Sequence, residues 1–469
     1  MPGPSQADVK TIKANLNSRL QGIVLNNLPK TFQDAIHLCV KLGVEFLWID
    51  ALCIVQDDDQ DWETEASKMG KYYRNAYITI AAHPSHTETG TLDPDADRGC
   101  HLIRPPEFKT TIGGRNDQPF VISSYLVLHD LFFATPRHNS HNSYFMRGWC
   151  FQERILAPRI LHFTRSEVML ECNAAKLECE CGQINIKKDL RGSETARPSL
   201  IEGSDAASLK PLLMELLEEG RRFPDYQHVT LKGFQHLIED YTDKDFTQST
   251  DLLPALSGVA SLLTPVLGRY YAGIWEHDLH WCLEWRSIWT ADITPHRHPT
   301  GKYVAPSFSW ASRFGPVSDA GSGGLLEPWD RAEILKIQCQ PLNPSAPFGE
   351  VVDGSLTLLA GSLSVTLHAE QTSSGLVMRI SWATIKTHEE TFALDAVEDQ
   401  FLAEKTPIIC IELRQREWTH YRHNQQLLIS VRAIVAVPSD RRPGAFRRIG
   451  LARYKRPAMD LPMSEFVIV

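Results

Sequence analysis

The sequence predicts an α/β domain over about residues 1–182, a helical region over about 200–330 and a β-rich part over about 331–469. Three observations carry this division. Helical and strand-like patterns alternate between Thr31 and Ala82 with short connections, an order that favours right-handed crossovers and a parallel sheet. Phe46-Leu47-Trp48-Ile49 is a continuous apolar run of strand length, as suits a strand buried on both faces. From about residue 350 the texture changes to alternation of apolar and polar residues.

Each element has its own local reason. Thr31 is placed to cap a helix, with Asp34 three residues on in the capping-box position. Phe32, Ile36, Cys39 and Val40 follow at helical spacing, and Gly43 closes the run. Phe46–Ile49 then reads as a strand ending at Asp50. The acidic loop Asp57-Asp58-Asp59 leads into a second helix, where Trp62, Ala66, Met69 and Tyr73 share one face. Acidic residues at its start complement the positive end of the helix dipole. Ala76–Ala82 (AYITIAA) is a second strand, expected to lie parallel beside the first.

Residues 83–145 are rich in Pro, Gly, His and Asn and read as an insertion, with a weak strand candidate at Phe120–Val127. Residues 183–230 are polar and read in part as a linker. Residues 205–300 read as helical and carry Tyr270, Tyr271, Trp275, Trp281 and Trp285. Further on, Leu356, Leu358, Leu363, Val365 and Leu367 alternate with a change of parity at Gly361, which reads as a turn. Ile408–Leu413 and Leu427–Val437 continue the strand-like texture.

Composition narrows the function classes. Of 469 residues, 43% are hydrophobic and 22% charged, as in a folded globular chain and unlike a disordered one. A net charge of -9 gives no general attraction for nucleic acid or an anionic membrane. The stretch of about 18 uncharged apolar residues that spans a bilayer is not found, and the start MPGPSQADVKTIKANL lacks the apolar core of a secretory signal. Ten cysteines without regular spacing suit reduced thiols and a cytoplasmic protein.

Several blocks carry a family resemblance: Leu28–Ala35 (LPKTFQDA), Leu47–Asp58 (LWIDALCIVQDD), Asp61–Ala82 ending in YYRNAYITIAA, and Arg147–Phe163 (RGWCFQERILAPRILHF). Together they resemble the fungal heterokaryon-incompatibility (HET) domain. Asp251–Ala260, Tyr271–Trp275 and Ala305–Ser312 resemble the region that follows this domain in long family members, and Pro438–Ala452 resembles the family's closing hairpin. Family members open with a strand reading like ALSYxWG. Here the first matching block begins at Lys10, so a domain lacking that strand is expected, with an open sheet edge.

The resemblance implies a doubly wound sheet of the Toll/interleukin-receptor (TIR) type and a role in fungal nonself recognition and programmed cell death. Self-association, or another incompatibility protein, would be the partner. An accessory role in specialised metabolism is a further alternative. Some TIR domains cleave NAD with a glutamate in a Trp-Cys-x-x-Glu segment, and Trp149-Cys150-Phe151-Gln152-Glu153 has that pattern. Glu153 would stabilise the ribosyl cation as nicotinamide leaves, with Trp149 as an aromatic wall. The competing reading pairs Glu153 with Arg154 and places Trp149 in the core.

Asp50, Asp57 and Asp58 follow the C-terminal end of the expected strand, where α/β sheets place ligands, and could hold Mg2+ or a ribose hydroxyl. Equally, they could cap the next helix and satisfy loop amides. Cys172, Cys179 and Cys181 near His162 lack the paired spacing of a structural zinc site, so no metal is expected. The seven basic residues of Arg441–Arg456 read as solvated arginines about a Pro443-Gly444 hairpin turn rather than a phosphate site. Gly321–Gly324 lacks the lysine and helix of a phosphate loop.

Overall fold

The computed structural model describes residues 9–82, 110–112, 120–122, 146–163, 168–173, 176–179, 182–185, 209–222, 227–288, 296–298, 302–319, 329–372, 375–382, 388–402, 406–418 and 428–469. Most of the 83–145 insertion, Cys181 and Gly321–Gly324 lie outside them. The chain divides into two compact units, Met1–Met214 and Glu215–Val469.

In the first unit, helix α1 (Lys30–Leu42) starts one residue before Thr31, with Pro29 at the N-cap and no side-chain cap. Asp34 is buried and pairs with Lys30 one turn back instead of closing a capping box. Gly43 ends α1 at φ 68°, a left-handed conformation that favours glycine. Helix α2 (Asp59–Asn75) is capped by Asp58, which accepts from the Gln60 amide at 3.2 Å. Its inward face holds Ala66 and Met69, as the 3.6-residue period requires.

Strand β1 (Thr79–Ala82) follows directly. Helix α3 (Gly148–Leu156) leads into β2 (Arg159–Phe163), which lies parallel to β1 with Thr79 opposite Ile160. The next strands are β3 (Val168–Cys172), β4 (Lys176–Cys179) and β5 (Gly182–Asn185), added in order and all antiparallel. The described sheet is therefore mixed, with one parallel pair, rather than doubly wound. Connections of only a few residues explain this, because hairpins cannot return a chain parallel to itself. Phe120–Ile122, within the weak candidate, pairs with Thr110–Ile112 as an isolated two-stranded ribbon.

The expectation for Phe46–Ile49 is corrected. The segment is not a strand, and among the described residues β1 pairs with β2 alone. Its side chains still divide between two neighbours: Leu47 packs against the cluster of Ala35 and Phe163, which Ile80 and Ala82 of β1 also join, while Trp48 packs on Tyr72 and Tyr73 of α2. The apolar run is thus held by side-chain packing without a backbone ladder, and Phe46 is left 86% exposed.

In the second unit, helix α4 (Leu209–Arg222) crosses the division, and α5 (Gln227–Thr242) and α6 (Ser257–Leu267) follow. Ser249–Leu267 is, among the described residues, long and apolar enough by composition to cross a membrane, yet more than half of it is buried within the protein. Short strands β6 (Trp285–Ser287) and β7 (Val317–Asp319) pair antiparallel. Beyond Leu267, the described residues of the expected helical region hold one helical turn (Leu279–Cys282), a 3-10 turn (Trp310–Ser312) and short strands.

The β-rich part consists of β8 (Glu333–Pro341), β9 (Val351–Thr372), β10 (Gly375–Trp382), β11 (His388–Leu394), β12 (Ile408–Trp418), β13 (Leu428–Pro438), β14 (Phe446–Pro457) and β15 (Met463–Ile468). Pairing runs β9–β12–β13–β14–β15 and returns to β9, which closes a ring of five strands. Closure removes the open edges that a flat sheet would present.

Gly361 is not a turn. The 22-residue β9 runs through it, pairing with β15 up to Gly361 and with β12 from Ser362. A Cβ at Gly361 would come 2.9 Å from that of Leu461, so the strand switches partners where only glycine allows the approach. The parity change was legible; its cause is a corner.

The basic run is also corrected. Pro443-Gly444 does sit in the β13–β14 turn, with Gly444 at φ 78°. Arg448 and Arg456, however, are fully buried. Arg456 grips Glu412 through Nε at 2.7 Å and Nη2 at 2.8 Å, and the Tyr454 hydroxyl donates to the same carboxylate at 2.8 Å. Arg448 donates to Asp395 at 2.8 Å and to the carbonyls of Leu283 and Trp285, and stacks 3.7 Å over the Trp285 ring. Arg448→Ala should therefore destabilise the second unit by about 3–5 kcal/mol, since it strands a buried carboxylate and two carbonyls. Denaturant melts of the full chain check this; a loss below about 1 kcal/mol would mean that Asp395 is solvated.

Candidate functional site

Glu153 lies near the end of α3, one turn after Cys150 and ahead of β2. The N-cap of α3 is Arg147, and the helix buries Cys150 with Ala81, Ala157 and Ile160 against the start of the sheet. That packing fixes which way the opposite side of the helix points. Glu153 is half-buried there, and the Tyr73 hydroxyl and Cys150 thiol both donate to its carboxylate. Burial pushes its pKa up to about 7, and the Asp50 carboxylate adds to the rise. Arg147, Tyr73 and Cys150 act against it, favouring the charged form.

Trp149 meets Trp62 of α2 edge to face, with ring centroids 6.0 Å apart. Trp48 stands edge-on to Tyr73 at 5.7 Å. The side chains around Glu153 therefore come from three places: the irregular segment before Asp50, the last turns of α2, and the start of α3. Tyr73 was legible as an inward position of α2. Arg147 and Cys150 carried no separate signal, although both lie within the RGWCFQER block.

The pairing of Glu153 with Arg154 is not what the structure contains. Arg154 instead makes a two-pronged contact with Glu171 of β3, with Nε at 3.0 Å and Nη2 at 3.1 Å from its oxygens. His162 of β2 meets the same carboxylate at 2.9 Å. Burial alone would raise the Glu171 carboxyl, but Arg154 and His162 outweigh it and hold it far below the usual carboxylate range. His162 is shifted down by burial and so favours the neutral ring. Lys210 is buried near this group, its pKa lowered to about 8 chiefly by desolvation. His162 is thus occupied by a carboxylate, and no cluster of metal-ligating side chains occurs among the described residues.

The three loop aspartates separate. Asp57 accepts from the Lys13 amide at 2.8 Å, and Asp58 caps α2 and pairs with Lys13 at 3.2 Å. Both serve local backbone and charge in the way the capping alternative describes. Asp50 opens a single helical turn (Asp50–Cys53) and accepts from the Ala51 amide at 2.7 Å. Of the three, it is the one whose charge reaches Glu153. The result is a carboxyl poised near neutrality beside an aromatic pair, able to hold a proton or, when ionised, to stabilise a nearby cation.

Residues 5–153, a segment that ends on Glu153, match the model of the family described as Heterokaryon incompatibility protein (HET). No curated protein and no solved structure matches the chain.

The Glu153 environment has a thermodynamic signature. In the folded chain this carboxyl keeps its proton up to about pH 7, whereas in the unfolded chain it releases it near 4.5. Its contribution to stability is therefore fully present below about pH 4.5 and is lost as pH rises through 7. Glu153→Gln, which cannot ionise, should exceed the parent by less than about 1 kcal/mol at pH 5 and by up to roughly 3 kcal/mol at pH 8. Glu171 acts in the opposite sense, but only in acid below this window. Parallel urea melts at the two pH values decide the matter; a constant gap between the two proteins would show that Glu153 ionises normally.

Proposed function

We propose that this chain acts in heterokaryon incompatibility, as a cytoplasmic protein of fungal nonself recognition whose N-terminal unit drives programmed cell death. The observation that carries this reading is the HET match over residues 5–153. In this scheme the unit works by self-association or by binding another incompatibility protein. Its surface supports an association role: Phe46 is 86% exposed, Val40 73% and Tyr77 61%, on elements that flank strand β1. That strand offers an unpaired edge among the described residues, a common template for a second chain.

A second reading, NAD cleavage, is favoured by one observation. Arg154 is committed to Glu171, so Glu153 is left to the Asp50, Tyr73 and Arg147 surroundings beside Trp149. An ionised Glu153 would stabilise an oxocarbenium-like ribosyl cation as the bond to nicotinamide breaks, with Trp149 limiting water. NAD would be a substrate here, and no bound cofactor is invoked.

Expression in a fungal host, with viability and NAD followed together, separates the two. On the association reading, Phe46→Asp combined with Val40→Asp gives a folded protein with a smaller sedimentation coefficient and no killing. Glu153→Gln then still kills at equal protein level and leaves NAD unchanged. Loss of NAD caused by the parent chain and abolished by Glu153→Gln would instead establish the enzymatic reading.

A further inference from the structure

The first unit carries opposite charge at its two ends, and helix α2 spans the distance between them. Its 17 residues, rising about 1.5 Å each, make it roughly 25 Å long. At its start lie Asp57, Asp58, Asp59, Asp61 and Glu63, with Asp57 and Asp59 exposed. Lys10, Lys13 and Arg147 answer only part of this charge, Lys13 by pairing with Asp58 at 3.2 Å. Trp62 and Trp149, both half-buried and edge to face at 6.0 Å, add aromatic surface at the same end.

The other end is basic and apolar. Lys71 and Arg74, in the last turns of α2, are exposed, and no ion pair among the described residues involves them. The short link Ala76–Ile78 joins α2 to β1, so Tyr77 stands at this end too, 61% exposed. Arg159, at the start of the parallel β2, stacks over the Tyr77 ring at 5.2 Å and is itself exposed. Trp48 packs on Tyr72 and Tyr73, which brings the exposed Phe46, two residues before it, to the same place. Glu45 and Asp50 offset part of the positive charge. Acid at the start of a helix and base at its end suit the dipole. The dipole gives no reason to leave large aromatic side chains in water beside the base.

We propose that copies of this chain associate head to tail through the first unit, the acidic start of α2 in one copy receiving the basic end of α2 in the next. Lys71, Arg74 and Arg159 meet Asp57 and Asp59 of the next copy, while Phe46 and Tyr77 are covered by its Trp62 and Trp149. Charge sets the direction and the wrong-way repulsion; the aromatic contacts hold the pair. Because two different surfaces are joined, each addition leaves one free end of each kind, and the assembly is open-ended. This inference rests on the association reading above and adds to it the partner surface and the orientation.

Sedimentation velocity on the full chain tests it. The parent should grow beyond a dimer as its concentration rises, and raising NaCl from about 50 to about 500 mM should weaken the association by about tenfold or more. Lys71→Glu with Arg74→Glu makes both ends acidic, and Asp59→Lys with Gln60→Lys makes both basic; all four side chains are exposed. Each double variant should be monomeric where the parent assembles. An equimolar mixture of the two should regain assembly to within a few-fold of the parent, because each then offers what the other lacks. Should either double variant misfold by circular dichroism, Arg74→Glu and Asp59→Lys, alone and mixed, take their place. A parent that stays monomeric overturns the association reading and this inference with it. A parent that stops at a closed dimer, folded variants that assemble alone, or a mixture that stays monomeric overturns the head-to-tail inference only.

Discussion

The buried pair of Arg448 and Asp395 holds the second unit together in a way that apolar packing could not. The five-stranded ring can close on its own aliphatic side chains, among them Val431, Ala433, Val435 and Ile449. What the ring cannot do with aliphatic contacts is fix the loops that lie on it. Arg448 does this by donating to Asp395, to the carbonyls of Leu283 and Trp285, and by covering the Trp285 ring. Neighbouring pairs repeat the device. Arg432 reaches Glu284, Arg456 reaches Glu412, and Arg297, Arg313 and Arg447 surround the buried Asp399. Buried ion pairs are poor sources of net stability, but removing one partner is severe. Their effect is to make one arrangement of strands and loops far better than its neighbours.

In the first unit the same chemistry separates two carboxylates on adjacent elements. Glu171 has Arg154 and His162 within hydrogen-bond reach and stays ionised. Glu153 sits one residue before Arg154 on a helix, so the two side chains leave the axis about 100° apart and cannot serve the same place. Arg154 turns into the sheet, while Glu153 turns toward Asp50 and Tyr73. One helix thus supplies both the cation that neutralises a structural glutamate and the glutamate left with a raised pKa. Divergent environments for paired carboxylates are how acid–base sites are generally built.

Much of this was legible in the sequence, and the parts that were legible share a physical cause. Helix α2, with Ala66 and Met69 inward and Asp58 at its cap, follows from a 3.6-residue period and from backbone amides that need an acceptor. Gly43 and Gly444 mark a helix end and a hairpin turn because both adopt positive φ. The change of parity around Gly361 and the Trp-Cys-x-x-Glu segment were also visible. These are local constraints, settled within a few residues along the chain.

What only the tertiary structure decided depends on residues far apart. Phe46–Ile49 has every property of a strand, yet a strand needs a neighbour with free amides and carbonyls. The segment is held through side chains instead, with Leu47 against the Ala35–Phe163 cluster and Trp48 against Tyr72 and Tyr73. The arginines of the β13–β14 hairpin read as solvated because their neighbours in sequence offer no carboxylate. Asp395 and Glu412, 53 and 44 residues away, supply what buries them. The identity of Arg154's partner, 17 residues on in β3, likewise determined that Glu153 would not be a structural ion pair. Periodicity and turn chemistry are written in one dimension; charge pairing and strand pairing are settled by which distant segments the fold brings within 3 Å.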